Sequence, residues 1–212
     1  MTAEVEVYKP ENYIRVVTAT SLFDGHDAAI NIMRRILQDT GVEVIHLGHN
    51  RSVQEIVDAA IEEDVQGVAV SSYQGGHLEF FKYLFDLLKE RGAPHIKIFG
   101  GGGGVIVPEE IDELESYGIA KIYSPEDGTT MGLQGMINHM VQAMDFPTVE
   151  PEQFEFNGLT PDNKRLVANL ITSAERAKAL EDGHLAALRA QMTKKIGDRK
   201  VPVIGITGTG GA

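Results

Sequence analysis

The chain contains no cysteine, which removes disulfides and every thiolate metal site from consideration. It is also short of positive charge: 19 Lys and Arg against 31 Asp and Glu leave a net charge of -12. Such a surface repels phosphate backbones and has no basic stripe for counterion release, so no nucleic-acid partner is expected. No uncharged apolar stretch approaches the roughly 20 residues of a membrane span, so no membrane role is expected either. The opening Met1-Thr2-Ala3-Glu4-Val5-Glu6 lacks the basic-then-apolar layout of a secretion signal, and the cytoplasm is the expected compartment. What is present, 212 residues with 42% hydrophobic and 24% charged side chains, suits a globular chain of one domain with an appendage, or two small ones.

Residues 1–12 are polar, carry Pro10, and read as an irregular lead-in. Short β-branched runs follow at Ile14–Ala19, Val42–His46, Gly67–Ser71 and Ile96–Phe99, with a weaker one at Ala120–Tyr123. They alternate with helical patterns near 27–39, 52–63, 78–91, 108–116 and 129–144, which makes five βα units. Strands apolar on both faces and separated by helices call for a parallel sheet covered on each side. Right-handed crossovers then predict an α/β, flavodoxin-like doubly wound sheet of order 2-1-3-4-5 over residues 13–145. Ser52 with Glu55 forms a capping box for the second helix, and Pro108-Glu109-Glu110 suits a helix start. The stripe Phe80, Phe81, Leu84, Phe85 and Leu88 is core packing.

After Met144 the pattern changes. Asp145 to Thr160 contains Pro147 and Pro151 without a clear period and reads as a linker. Thr160-Pro161-Asp162 predicts the start of a helix with apolar positions Leu166, Val167, Leu170, Ile171, Ala174 and Ala177, and a second pattern carries Leu185, Leu188 and Met192. Residues 146–196 are thus a helical connector whose apolar stripe must pack on the first domain, on itself or on a partner. Val201 to Thr207 resembles the first strand of a new α/β unit. Gly208-Thr209-Gly210-Gly211-Ala212 matches the opening of a G-x-x-x-x-G-K-[ST] phosphate loop and stops before its lysine, so 197–212 are expected to begin a nucleotide triphosphatase domain in a longer protein.

The chemistry is expected at the carboxyl edge of the sheet, where open α/β folds bind ligands. His26 lies in the loop Ser21-Leu22-Phe23-Asp24-Gly25-His26-Asp27 after the first strand. A neutral imidazole can ligate a metal, and Asp24 could accept a hydrogen bond from the other ring N–H; taken alone, Asp-x-His in a turn is ordinary loop chemistry. Three further stretches fall on the same edge: Ser71-Ser72-Tyr73-Gln74-Gly75-Gly76-His77, Gly100 to Gly104, and Ser124-Pro125-Glu126-Asp127-Gly128-Thr129-Thr130. Glycines allow a bulky planar group to approach the backbone, and the hydroxyls can bond ring nitrogens, sugars or phosphate. Against this stands a flexible loop for the glycine run, and a zinc site from His46-x-x-His49 with no evident third ligand.

Asp24-x-His26-x-x-Ala29, Ser71-x-Tyr73 and the glycine run resemble the Asp-x-His-x-x-Gly, Ser-x-Leu and Gly-Gly motifs of the cobalamin-binding domain found in adenosylcobalamin-dependent acyl-CoA mutases and in methionine synthase. With a helical connector and a phosphate-loop opening behind it, the order of parts resembles the amino-terminal part of the fused isobutyryl-CoA mutases, where a G-protein chaperone domain sits between the cobalamin and substrate domains. The resemblance implies adenosylcobalamin as cofactor, with His26 replacing dimethylbenzimidazole as the lower cobalt ligand and Asp24 orienting it. It implies a slot for the displaced nucleotide tail, with Ser71 on the benzimidazole nitrogen and Gly100, Gly101, Gly102 and Gly103 along the wall. Ser124, Pro125, Asp127, Gly128 and Thr129 would close its end, and Gly25, Asp27, Tyr73 and Gly75 join the binding set. The longer protein would convert isobutyryl-CoA and n-butyryl-CoA into one another, use GTP and Mg in its chaperone domain, and form a homodimer. This portion alone would bind cobalamin and turn nothing over. Ala29 and Tyr73 depart from the family glycine and leucine. A corrinoid methyl-carrier domain would share His26, Ser71 and the glycines, and a flavodoxin-like FMN module would use Thr18, Thr20 and Ser21 for phosphate; a phosphorylation receiver is disfavoured because Ser71 stands where an aspartate is required.

Overall fold

The computed structural model describes residues 5–150, 156–180, 183–198 and 202–205. Strands β1 (Arg15–Ser21), β2 (Glu43–Arg51), β3 (Gly67–Ser71), β4 (Lys97–Gly101) and β5 (Lys121–Tyr123) form one parallel sheet of order β2-β1-β3-β4-β5, the order the alternating pattern predicts. Every residue of β1 and β3 is buried, because both strands are central and covered on both faces. Helices α2 (Val53–Glu62), α3 (His77–Glu90) and α4 (Pro108–Tyr117) cover one face, where Val17, Val68, Val70 and Ile98 meet Ile56, Phe81, Leu84 and Leu114. Helices α1 (Ala28–Asp39) and α5 (Pro125–Met144) cover the other, where Val16, Ala69, Phe99 and Tyr123 meet Ile30, Leu37, Met136 and Met140. The capping box at Ser52 and Glu55 forms as expected.

Several boundaries differ from expectation. β2 continues five residues past His46, to Arg51, through two register shifts against β1 with Gly48 at φ 83 and Asn50 at φ 56; bulges of this kind break the alternation on which a pattern reading relies. α5 begins at Pro125 because Ser124 and Asp127 cap it reciprocally, while the segment Pro-Glu-Asp-Gly has no apolar period to reveal it. Gly132, at φ 67 and ψ 172, interrupts the helix in a conformation essentially confined to glycine.

The lead-in is irregular yet held in place. Asp145 accepts hydrogen bonds from Tyr8 Oη (2.7 Å) and from the Glu11 and Asn12 amides (both 2.9 Å). The helix expected from Thr160 starts at Lys164, with Asn163 Oδ1 accepting from the Leu166 amide (3.2 Å). This α6 (Lys164–Leu180) packs on α2 and buries Ala168, Leu170, Ser173 and Ala177. Its Asn169 donates to Asp64 (2.8 Å), which also accepts from Thr148 (2.6 Å), and its Glu175 pairs with Arg15 at the start of β1. Of the expected apolar stripe, Leu170 and Ala177 are thus buried while Ile171 stays exposed, and α7 (His184–Ile196) packs in turn on α6, burying Leu188. Of the strand expected over 201–207, the described residues 202–205 are irregular, with Val203 94% and Ile204 85% exposed; a strand forms only where a neighbour completes its ladder. The phosphate-loop residues 208–212 lie outside the described residues.

Candidate functional site

The β1–α1 loop turns sharply after Ser21, with the Asp24 amide donating to the Ser21 carbonyl (3.1 Å) and Phe23 at φ 65. This turn drives the Asp24 side chain inward until it is fully buried, while the His26 side chain stays 69% exposed. Both Asp24 oxygens are occupied. Oδ1 accepts from the His26 amide (2.9 Å) and faces His26 Nδ1 at 2.7 Å, and Oδ2 accepts from the Tyr73 amide (2.5 Å). Burial pushes the Asp24 carboxyl up, but the Tyr73 and His26 amides and the imidazole outweigh it and hold the group below its ordinary value. A carboxylate only accepts, so Nδ1 carries the proton of the pair, and in the neutral ring Nε2 is then the nitrogen left with a lone pair. A histidine fixed in this way is chemically suited to ligate a metal.

Beside this loop a cavity of about 330 Å³ opens between the sheet and helices α1 and α5. It exists because this face carries small side chains near the carboxyl edge: Ala69 and Ser71 on β3, and Gly101 after Phe99 on β4. Ser71, Tyr73, Gly100, Gly101, Gly102, Gly103, Ser124, Pro125 and Gly128 all line it. Ser71 Oγ lies 3.1 Å from Thr20 Oγ1 on the neighbouring strand, so it keeps capacity for a ligand nitrogen. The Tyr73 ring lies 5.8 Å from the His26 ring and borders the cavity, joining the two features. Tyr123 lines the cavity with its hydroxyl turned to the Met136 carbonyl (3.2 Å) and His139 Nδ1 (2.8 Å); burial, then Asp127 and Glu115, raise its pKa.

Other expected residues sit elsewhere. Gly25 and Asp27 belong to the His26 loop and Gly75 to the exposed β3–α3 loop, none lining the cavity. Asp127 caps α5 by accepting from the Ser124 amide (2.8 Å), and Thr129 bonds the Pro125 carbonyl (3.0 Å) from an exposed position, so neither lines the slot's end. Two of the glycines also serve a different purpose from ligand approach. A Cβ on Gly100 would stand 2.5 Å from Phe81 Cζ, on the opposite face, and one on Gly102 would stand 1.9 Å from the Ser72 carbonyl oxygen. Their smallness is required by the protein's own packing.

The apolar walls contributed by Met33, Leu37, Leu133, Met136 and Met140 are absent from the sequence reading. Their helical spacing signals a buried face and gives no sign that part of that face is empty. His46, weighed as half of a zinc pair and set aside in favour of a solvated loop, has its Nδ1 2.9 Å from Thr18 Oγ1. No group of three or more metal-ligating side chains occurs among the described residues. A second cavity, of about 440 Å³, lies at the opposite edge of the sheet, where Arg15 is engaged by Glu43, Thr172 and Glu175, and Asp64 by Thr148 and Asn169. No described helix is long and apolar enough to cross a membrane.

Residues 14–133 match the family model of the B12 binding domain, and the chain belongs to that family. Within it, the chain is 62% identical over 208 residues to the fused isobutyryl-CoA mutase of Geobacillus kaustophilus, covering 97% of this chain and 19% of that protein. It is 59% identical over 203 residues to the fused isobutyryl-CoA mutase of Cupriavidus metallidurans, covering 96% and 18%. The chain thus spans about a fifth of the length of these relatives. The small subunit of 2-hydroxyisobutanoyl-CoA mutase from Aquincola tertiaricarbonis is 37% identical over 109 residues, which cover 51% of this chain and 79% of the subunit. Among solved structures, a cobalamin-binding protein from Desulfitobacterium hafniense shares the fold, with a TM-score of 0.51 and 24% identity over 62% of this chain and 59% of that one.

Proposed function

We propose that the chain is the cobalamin-binding portion of an adenosylcobalamin-dependent mutase that interconverts isobutyryl-CoA and n-butyryl-CoA. It binds the cofactor with the tail base detached and His26 as the lower cobalt ligand. The observation that carries this reading is the pairing of His26 Nδ1 with a fully buried Asp24 carboxylate at 2.7 Å, which leaves Nε2 as the free ring nitrogen of a 69% exposed side chain. The cofactor supplies radical chemistry when bound. The chain holds and orients it: Asp24 fixes the ligand's tautomer, Ser71 offers a hydrogen-bonding group to the tail base, and Tyr73 and Gly101 to Gly103 border the path to the cavity. Similarity to mutases, among them a separate mutase small subunit matched over most of its length, supports this reading over a methyl-carrier domain.

In this reading residues 13–145 are the cobalamin domain, 146–196 the connector and 197–212 the start of a G-protein chaperone domain that uses GTP and Mg. The remaining domains of a homodimeric, cytoplasmic parent supply the acyl-CoA site, so this portion alone binds cobalamin without turnover. The test is the visible spectrum of the chain loaded with cobalamin. A base-off, histidine-ligated spectrum that His26→Ala abolishes is expected; an unchanged spectrum in the variant removes the ligand assignment.

A further inference from the structure

His77 opens α3, and its side chain is only 8% exposed. Its Nδ1 lies 3.2 Å from the Gln74 carbonyl oxygen and its Nε2 2.9 Å from Glu110 Oε2 at the start of α4. Both ring nitrogens lie within reach of acceptors, so the ring bridges the loop to the start of α4. Glu110 is fixed in turn, since the same oxygen accepts from the Val107 amide (3.0 Å). This cluster lies outside the cavity and is no part of the site described above.

Its reach becomes clear from the loop it holds. Gln74, Gly75 and Gly76 are exposed, and Gly76 is left-handed at φ 83. Among the described residues His77 provides the one side-chain hydrogen bond to the backbone of 74–76. On the other side of Tyr73 the chain is clamped, with the Ser72 amide donating to Gly101 O (2.8 Å) and its hydroxyl accepting from Ser21 (2.9 Å). The Tyr73 amide between these anchors is the donor that fixes Asp24 Oδ2.

We propose that His77, braced by Glu110, is a positioning residue for the cobalt-ligating histidine: it fixes the 73–76 loop, the Tyr73 amide then fixes Asp24, and Asp24 fixes His26. The inference rests on the reading of His26 as ligand. Removing the hydrogen-bond partner of a metal-ligating histidine typically weakens metal affinity about 10- to 100-fold, and His77 acts two links further out, so a smaller effect of about three- to tenfold follows.

The experiment loads the chain and its variants with cobalamin and reads the histidine-ligated fraction from the visible spectrum. His77→Phe, which keeps the ring's bulk and removes both ring nitrogens, is expected to shift the ligation equilibrium about three- to tenfold toward the unligated form. His77→Gln, which keeps a donor, is expected to restore part of that shift. Leu84→Ala, in the core face of the same helix, is expected to lower stability and leave the spectrum unmoved. A wild-type spectrum in His77→Phe, or an equal shift in Leu84→Ala, overturns the proposal. Should His77→Phe fail to fold, Glu110→Gln serves instead, with a smaller shift in the same direction expected and none overturning it. If wild type and His26→Ala give the same spectrum, the ligand reading itself falls and takes this proposal with it.

Discussion

The two faces of the sheet are built from the same alternating strands, yet one is filled and the other is hollow. Toward α2, α3 and α4 the strands present Val68, Val70 and Ile98, and even Gly100 has no spare room, its position closed by Phe81 and Ile122. Toward α1 and α5 they present Ala69, Ser71, Phe99 and Gly101, with a cavity of about 330 Å³ above them. On β3 a difference of about two carbons per residue, Val68 and Val70 against Ala69 and Ser71, helps separate a filled core from an open cavity. A filled face resists added volume, and a hollow one accepts it at the expense of its ligand.

The sharpest break of this comparison comes from Gly102→Ala. The new Cβ would meet the Ser72 carbonyl oxygen at 1.9 Å, and backbone yields less readily than a side chain, so a loss of about 3 kcal/mol, the upper end of ordinary overpacking, is expected in urea denaturation. Next, Val68→Leu on the filled face should lose about 1–3 kcal/mol. Ala69→Leu, one residue along on the hollow face, should stay within about 1 kcal/mol of wild type while cobalamin binding weakens, as equilibrium titration would show. Equal stability losses in the last two variants would erase the distinction between the faces.

A milder separation comes from acid. Burial, then the Arg34 charge, lowers the pKa of His46, and burial, then Arg165, lowers that of His95. The unfolded chain therefore takes up these protons first. Stability is complete above about pH 6.5, the ordinary histidine value, and falls as pH drops from there through the folded values. Thermal melts across pH 7.5 to about 5.5 check this, and replacing both histidines by glutamine should flatten the slope. The smallest effect belongs to Gly75→Ala, whose added methyl meets nothing within 4 Å; stability should stay within about 0.5 kcal/mol and the spectrum with cobalamin unchanged.

Strand order, helix count and the Asp24–His26 pair were legible because each rests on local information: β-branched runs, caps, and two residues in one turn. The hollow was not, since Met33, Leu37, Met136 and Met140 have the spacing of any buried helix face. Nor could a run of five glycines reveal that Gly100 and Gly102 answer to Phe81 and Ser72, contacts between residues distant in the chain. The docking of α6 was legible only as an unpartnered stripe, because Asp64 and Arg15, which receive it, lie about a hundred residues earlier or more.

The geometry of Asp24 has a kinetic meaning. All three of its hydrogen bonds come from the chain's own Tyr73 and His26, so the imidazole's orientation is set by the folded chain itself. Encounter then needs no search over ring rotamers, and the ordering entropy that a floppy ligand surrenders on capture has been spent during folding. In the proposed role of His26 as cobalt ligand, coordination therefore demands no reorientation of this ring.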